Sequence, residues 1–142
     1  MKKLAFACDH AGFLTKNYLI EKLSGTYEIK DFGTYSEESV DYPDYAHPMA
    51  AAVERGEFDF GVSLCGSGNG INITVNKHQG IRSALCWIPE IARLARFHND
   101  ANICAIPARF VSHEEAFEIL DVFLSADFEG GRHQARIDKI PV

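Results

Sequence analysis

A cysteine stands at the head of a run in which every second residue is glycine: Cys65-Gly66-Ser67-Gly68-Asn69-Gly70. Glycines let a chain turn tightly and aim several backbone N–H groups inward. A helix starting just beyond them adds the positive end of its dipole. Such a loop is a cradle for an anion, whether a phosphate, a carboxylate or an enolate. The alternative is a bare turn with no ligand. A thiol beside those donors is expected to ionise more readily than a free cysteine, and a thiolate serves as a nucleophile or a proton acceptor. The residues alone leave Cys65 open between that reading and a buried thiol at a strand end.

Three known loops of this kind are excluded by single positions. A dinucleotide fingerprint needs glycine where Ile71 stands, and the turn Asp9-His10-Ala11-Gly12 lacks the pattern as well. A hydrolase nucleophile elbow needs glycine at position 65. A nucleotide-binding P-loop needs Gly-Lys-Ser/Thr, but Ile71-Asn72 follows the last glycine. No nucleotide or flavin cofactor is therefore expected. No two histidines have zinc-ligand spacing and no cysteines form a C-x-x-C pair, so no catalytic metal is expected either.

Other chemistry-bearing residues lie elsewhere in the chain. His98 shares a helical face with Ile91, Leu94 and Ala95, which suits a core histidine. The polar run Asn99-Asp100-Ala101-Asn102 before an apolar segment argues instead for a site. His10 beside Asp9 is equally open, whereas His47, His78 and His113 sit in polar or capping contexts. Arg132 and Arg136 are four apart, on one face if that segment is helical, and would repel unless an anion lay between them. A phosphate accepts such arginine pairs, and the alternative is a solvated arm.

The elements that must position these residues alternate. Short apolar runs at 4–8, 27–32, 58–65, 82–86 and 102–106 read as strands, separated by helix-like stretches at 12–23, 44–55, 69–76, 89–97 and 112–124. This is the pattern of an α/β fold with a parallel sheet covered on both faces. Ser112-His113-Glu114-Glu115 is a capping box, and Pro89 suits the first turn of a helix. Ligands of open parallel sheets bind beyond the carboxyl ends of the strands. Asp9-His10, the cysteine–glycine loop and Ala108-Arg109 all fall there.

With 142 residues, 46% hydrophobic and 24% charged, the chain is expected to be one domain with an arm from about residue 126, past which Gly130-Gly131 opens a polar tail. A net charge of −6 without a basic block disfavours nucleic acid and anionic membranes as partners. No apolar run approaches the ~18–20 residues of a membrane span. The first residues reach Asp9 too soon for a signal peptide, so the cytoplasm is the expected location. Cys8, Cys86 and Cys104 lie in strand-like runs and read as small buried hydrophobes.

In this order and spacing, these segments resemble one family across almost the whole chain. They are Ala5-Phe6-Ala7-Cys8-Asp9-His10-Ala11-Gly12-Phe13, Asp41-Tyr42-Pro43, the 65–71 loop, Asn76-Lys77, Gly80-Ile81-Arg82, His98-Asn99-Asp100-Ala101-Asn102 and Glu129-Gly130-Gly131-Arg132-His133-Gln134-Ala135-Arg136. The family comprises the B-type ribose-5-phosphate isomerases and the galactose-6-phosphate isomerases. The resemblance implies a three-layer α/β/α Rossmann-like domain with a five-stranded parallel sheet. It also implies a homodimer, or a dimer of dimers, with active sites shared between subunits and no cofactor or metal. The small-molecule partner would be a sugar phosphate, isomerised through a cis-enediolate.

The resemblance further assigns roles. Cys65 would be the base and the backbone of Gly66, Gly68, Asn69 and Gly70 would bind the enediolate oxygen. Ser67 would assist proton movement between oxygens, and His98, with Asp9 nearby, would open the sugar ring. Asn99 would bind the sugar, and His10, Arg109, Arg132 and Arg136 the phosphate. Some members use a glutamate just after the loop instead of the cysteine. Ile71 at that position places this chain on the cysteine branch. Galactose 6-phosphate, allose 6-phosphate or a tetrulose phosphate is an alternative substrate, and a phospho-sugar-binding module without turnover is the alternative from another class.

Overall fold

The apolar run at the N-terminus forms β1 (Lys3–Cys8), whose alternate side chains feed two separate cores. The computed structural model describes residues 1–142. Four further strands, β2 (Glu28–Asp31), β3 (Phe60–Cys65), β4 (Ser83–Leu85) and β5 (Ile103–Pro107), join β1 in one sheet of order β2-β1-β3-β5-β4. Every neighbouring pair is parallel. The helices are α1 (Phe13–Leu23), α2 (Tyr42–Glu54), α3 (Asn69–Val75), α4 (Pro89–Asn99), α5 (His113–Ser125) and α6 (Arg132–Ile137).

Leu4, Phe6 and Cys8 pack with α1, α4 and α5 on one face, while Ala5 and Ala7 meet α2 and α3 on the other. The small alanines suit close approach by α2. This is the expected three-layer α/β/α arrangement. The chain leaves β1 toward one sheet edge and returns through α2 to β3 on the other side. The order therefore reverses between β1 and β3, where such folds open a crevice at the carboxyl edge.

The capping box is present: Ser112 Oγ accepts from Glu115 N at 3.0 Å, and Glu115 Oε1 accepts from Ser112 N at 2.8 Å. Those bonds hold the Glu115 carboxyl below its ordinary value. Cys8, Cys86 and Cys104 are fully buried, and burial pushes the Cys8 thiol up to about 12.

Three expectations need correction. The helix-to-strand boundary before β5 shifts: α4 continues through His98 to Asn99 instead of stopping at Phe97, and the reversal falls at Asp100, which adopts a left-handed φ of 47°. Strand β3 starts at Phe60 instead of Phe58, and α2 starts two residues early at Tyr42 because Pro43 fits a first turn. The segment after Gly130-Gly131 takes the helical form that the Arg132–Arg136 spacing allowed and is docked by one face. His133 and Ile137 are buried while Arg132 and Arg136 stay exposed.

Candidate active site

Two groups of residues emerge, at opposite edges of the sheet. The first surrounds the end of β3. Cys65 is the last residue of that strand and is 4% exposed on the α2–α3 face. Its carbonyl accepts from Ala108 N at 3.0 Å, and that of Gly66 accepts from Arg109 N at 3.0 Å, which fastens the loop after β5 to the glycine loop. The Arg109 side chain lies along Gly66, where a Cβ would stand 3.3 Å from its Nη1. Gly68 has a φ of +77°, the left-handed conformation that reverses the chain into α3. Ser67 Oγ accepts from Asn69 N at 3.2 Å and stabilises that turn. At Gly70 a Cβ would lie 2.5 Å from Tyr42 Oη, so the phenol rests directly on the loop.

Across the switch point, Asp9 is buried and its Oδ1 accepts from Ala11 N at 2.9 Å, capping the single helical turn His10–Gly12. His10 Nδ1 accepts from Val40 N at 3.2 Å. A backbone N–H can only donate, so the neutral ring carries its proton on Nε2 and offers it to an acceptor. Asp9, His10, Asp41 and Tyr42 line a cleft of about 540 Å³.

The second group lies on α4 and α6. His98 stacks on His133, with ring centroids 4.3 Å apart and planes at 18°. His133 Nε2 is 3.1 Å from Glu129 Oε2, and Glu129 N donates to Phe97 O at 3.0 Å. His98, Glu129 and His133 place three ligand-type atoms within 4.8 Å. The two rings lie face to face, however, so their lone pairs run side by side instead of converging on one ion. The assembly suits orienting the His98 ring. Asn99, Arg132 and Arg136 are exposed around it.

The separation of the groups follows from the topology. Arg96, two residues before His98, has its guanidinium 4.7 Å from the ring of Phe60, the first residue of β3. Cys65 ends that strand five residues later, about 16 Å away at ~3.3 Å per residue. Within one chain, His98 and the arginine pair therefore do not meet Cys65.

Two residues of the polar run after His98 have their partners within the chain. Asp100 Oδ1 accepts from Arg96 Nη1 at 2.8 Å, and Asn102 Oδ1 accepts from Arg82 N at 2.8 Å while its Nδ2 donates to Gly80 O at 2.9 Å. These two residues brace the turn into β5, so their polarity is accounted for within the chain, and His98 and Asn99 remain as candidates. Tyr42, His133 and Glu129 were not singled out as site residues. Tyr42 and His133 sit in the segments that carry the resemblance, but only packing distinguishes their contacts from neighbouring positions.

A doubly covered parallel sheet, with a glycine-rich loop, a buried thiol and an imidazole donor at its carboxyl edge, is a Rossmann-like arrangement suited to a small anionic ligand. The model of the Ribose/Galactose Isomerase family matches residues 4–140. Ribose-5-phosphate isomerase B of Escherichia coli (strain K12) is 48% identical over 141 residues, spanning 99% of this chain and 95% of that protein. The putative sugar phosphate isomerase YwlF of Bacillus subtilis (strain 168) is 44% identical, spanning 97% and 94%. The crystal structure of a ribose 5-phosphate isomerase from Thermotoga maritima superposes with a TM-score of 0.96 at 52% identity, covering 99% of this chain and 97% of that one. Ribose-5-phosphate isomerase B of Mycoplasma genitalium, solved with bound ribulose 5-phosphate, gives 0.93 at 40% identity, covering 97% and 93%. The chain belongs to the ribose/galactose isomerase family and is an isomerase.

Proposed function

We propose that the chain interconverts ribose 5-phosphate and ribulose 5-phosphate through a cis-enediolate, in active sites completed by a second copy of itself. The observation that carries the reading is the position of Cys65 at the end of β3, directly before the glycine loop and beside Arg109. In the open-chain aldose, the Cys65 thiolate takes the proton from C2. The C2–H electron pair becomes the C1–C2 double bond of the enediolate, and the carbonyl oxygen O1 gains the charge. Backbone N–H groups of residues 66–70 stabilise that oxygen as it becomes anionic. A proton passes from O2 to O1 with Ser67 at hand, and Cys65 returns its proton to C1, giving the ketose.

The substrate phosphate is held by His10 Nε2–H and Arg109 from one chain and by Arg132 and Arg136 from the other. His98, held in plane by His133 and Glu129, acts with Asp9 as general acid and base in ring opening, and Asn99 binds the sugar hydroxyls. The opposite placement of the two groups supports a homodimer. Residues 1–142 act as one isomerase domain, with the segment from about 126 serving as the part given to the partner. A cytoplasmic location suits a phosphorylated metabolite, and no helix is long and apolar enough to cross a membrane.

The test is a coupled assay of ribose 5-phosphate isomerisation with and without a chelator. Turnover is expected to survive chelation and to be nearly abolished in Cys65→Ala while a phosphate-bearing inhibitor still binds. Full turnover in Cys65→Ala would sink the mechanism.

A further inference from the structure

Away from the site just described, two histidines 31 positions apart in the chain meet at the surface. His47 Nδ1 and His78 Nε2 are 2.9 Å apart, with ring planes at 49°. His47 is in the second turn of α2 and is exposed; His78 follows α3 and is half-buried. The other ring nitrogen of His78, Nδ1, faces Glu54 Oε1 at 3.6 Å. Glu54 is seven residues after His47, two turns along the same face of α2. It is fixed in turn, since its Oε2 accepts from Gly80 N at 2.5 Å.

Of the two nitrogens in contact, one carries a hydrogen and the other a lone pair. The charge of Glu54, 3.6 Å from Nδ1 and not hydrogen-bonded to it, favours the His78 proton on that side and the lone pair on Nε2. Without a metal, His47 Nδ1–H donates to that lone pair. Unlike the stacked His98–His133 pair, these nitrogens point at each other. Two imidazoles bound to one zinc at about 2.0–2.1 Å stand about 3.4 Å apart. An opening of about half an ångström, with a tilt of both rings that turns their lone pairs toward one ion, therefore converts the hydrogen bond into a chelate. His47 shifts its proton to Nε2 as it binds, and Glu54 supplies the carboxylate partner that ligating histidines usually have.

We propose that His47 and His78, supported by Glu54, form a structural site for a divalent first-row cation of the zinc or nickel type, with water completing its shell. The ion clamps α2 to the turn between α3 and β4. It takes no part in the isomerisation, so its presence or absence is independent of the proposed activity.

The test is calorimetric titration of the chelator-dialysed full chain with zinc chloride, paired with thermal unfolding. One ion per chain and a metal-dependent rise in Tm are expected. His47→Ala and His78→Gln should each weaken binding by at least about tenfold, and Glu54→Gln by about tenfold. His133→Ala and Cys65→Ala should bind as the parent does. Parent-like binding in both His47→Ala and His78→Gln, loss of binding in His133→Ala or Cys65→Ala instead, or no binding by the parent would each overturn the proposal. Circular dichroism of the substituted proteins separates lost binding from misfolding, and both histidines stand at surface positions where a folded product is expected.

Discussion

Gly68 and Gly56 form a matched pair on which the reading of the loop can be tested. Both have left-handed backbones, with φ of +77° and +80°, so alanine at either position incurs the same conformational cost, about 1–2 kcal/mol. Their surroundings differ. Around Gly56 nothing lies within 4 Å of an added Cβ. At Gly68 the Cβ would overlap Leu85 Cδ1 and stand 3.2 Å from Pro107 N and 3.3 Å from Ile106 C. Leu85 can rotate, but the β5 backbone cannot yield without pulling on Ala108 and Arg109, which hydrogen-bond to Cys65 and Gly66. Overpacking of this kind costs about 1–3 kcal/mol. Gly68→Ala should thus lose about 2–5 kcal/mol in urea unfolding, against about 1–2 for Gly56→Ala. The function should separate further. Displaced loop amides no longer meet the enediolate oxygen, and one lost donor of this type costs about 10²–10³ in kcat. Gly56→Ala should turn over ribose 5-phosphate as the parent does. Equal stability losses for the two variants, together with parent-like kcat in Gly68→Ala, would refute both the packing argument and the role of the loop.

Other consequences are open to direct measurement. Arg136→Ala should raise KM with a smaller change in kcat, because a phosphate is bound alike in ground and transition states; steady-state kinetics decides this. Mixing Cys65→Ala with His98→Ala subunits should restore up to about a quarter of parental activity at 1:1, the share of sites built from two intact halves under random pairing into dimers; continued inactivity after verified subunit exchange contradicts shared sites. Burial raises the Cys8 thiol to about 12 from its ordinary 9.0, so the native state resists ionisation while the unfolded chain ionises. Stability from this group is complete below the unfolded value and is lost as pH rises toward 12, and urea unfolding of Cys8→Ala should show a shallower alkaline decline than the parent. Asp31→Asn removes the carboxylate 2.5 Å from the fully buried Lys16 and should destabilise by about 3–5 kcal/mol in the same assay.

Much of the fold was legible because its signals are local. The strands β1, β3 and β5 are short apolar runs, the loops after them carry polar residues, and Ser112 and Glu115 announce a helix start that the structure contains. Lys16 shows where such reading stops. A lysine in a helix ordinarily faces solvent, yet this one is buried against Asp31 and donates to Thr34 O at 2.8 Å. Asp31 ends the next strand and Thr34 lies just beyond it, and only the β1–β2 pairing brings them under α1. Asp100 and Asn102 failed in the opposite direction. Their polarity suggested a ligand, but their partners are Arg82, Arg96 and Gly80.

The candidate residues were legible as types, while their division into two groups came only from the family resemblance and not from local sequence, because the grouping is set by which end of the sheet each element reaches. Helices of a parallel α/β fold run against the strands, so a residue at the end of α4 emerges where β3 begins, not where it finishes. That rule separates His98 from Cys65 in one chain even though both occupy segments that point to chemistry. It also accounts for the exposed arginines of α6, which lie on the His98 side through the contact of Glu129 with Phe97 and the stack of His133 on His98. A helix that buries His133 and Ile137 against its own chain while presenting two arginines outward is built to offer positive charge to something else. In a chain of net charge −6, the proposed shared site would gather those arginines with His10 and Arg109 around one substrate phosphate held between two copies, which is what the subunit-mixing experiment tests.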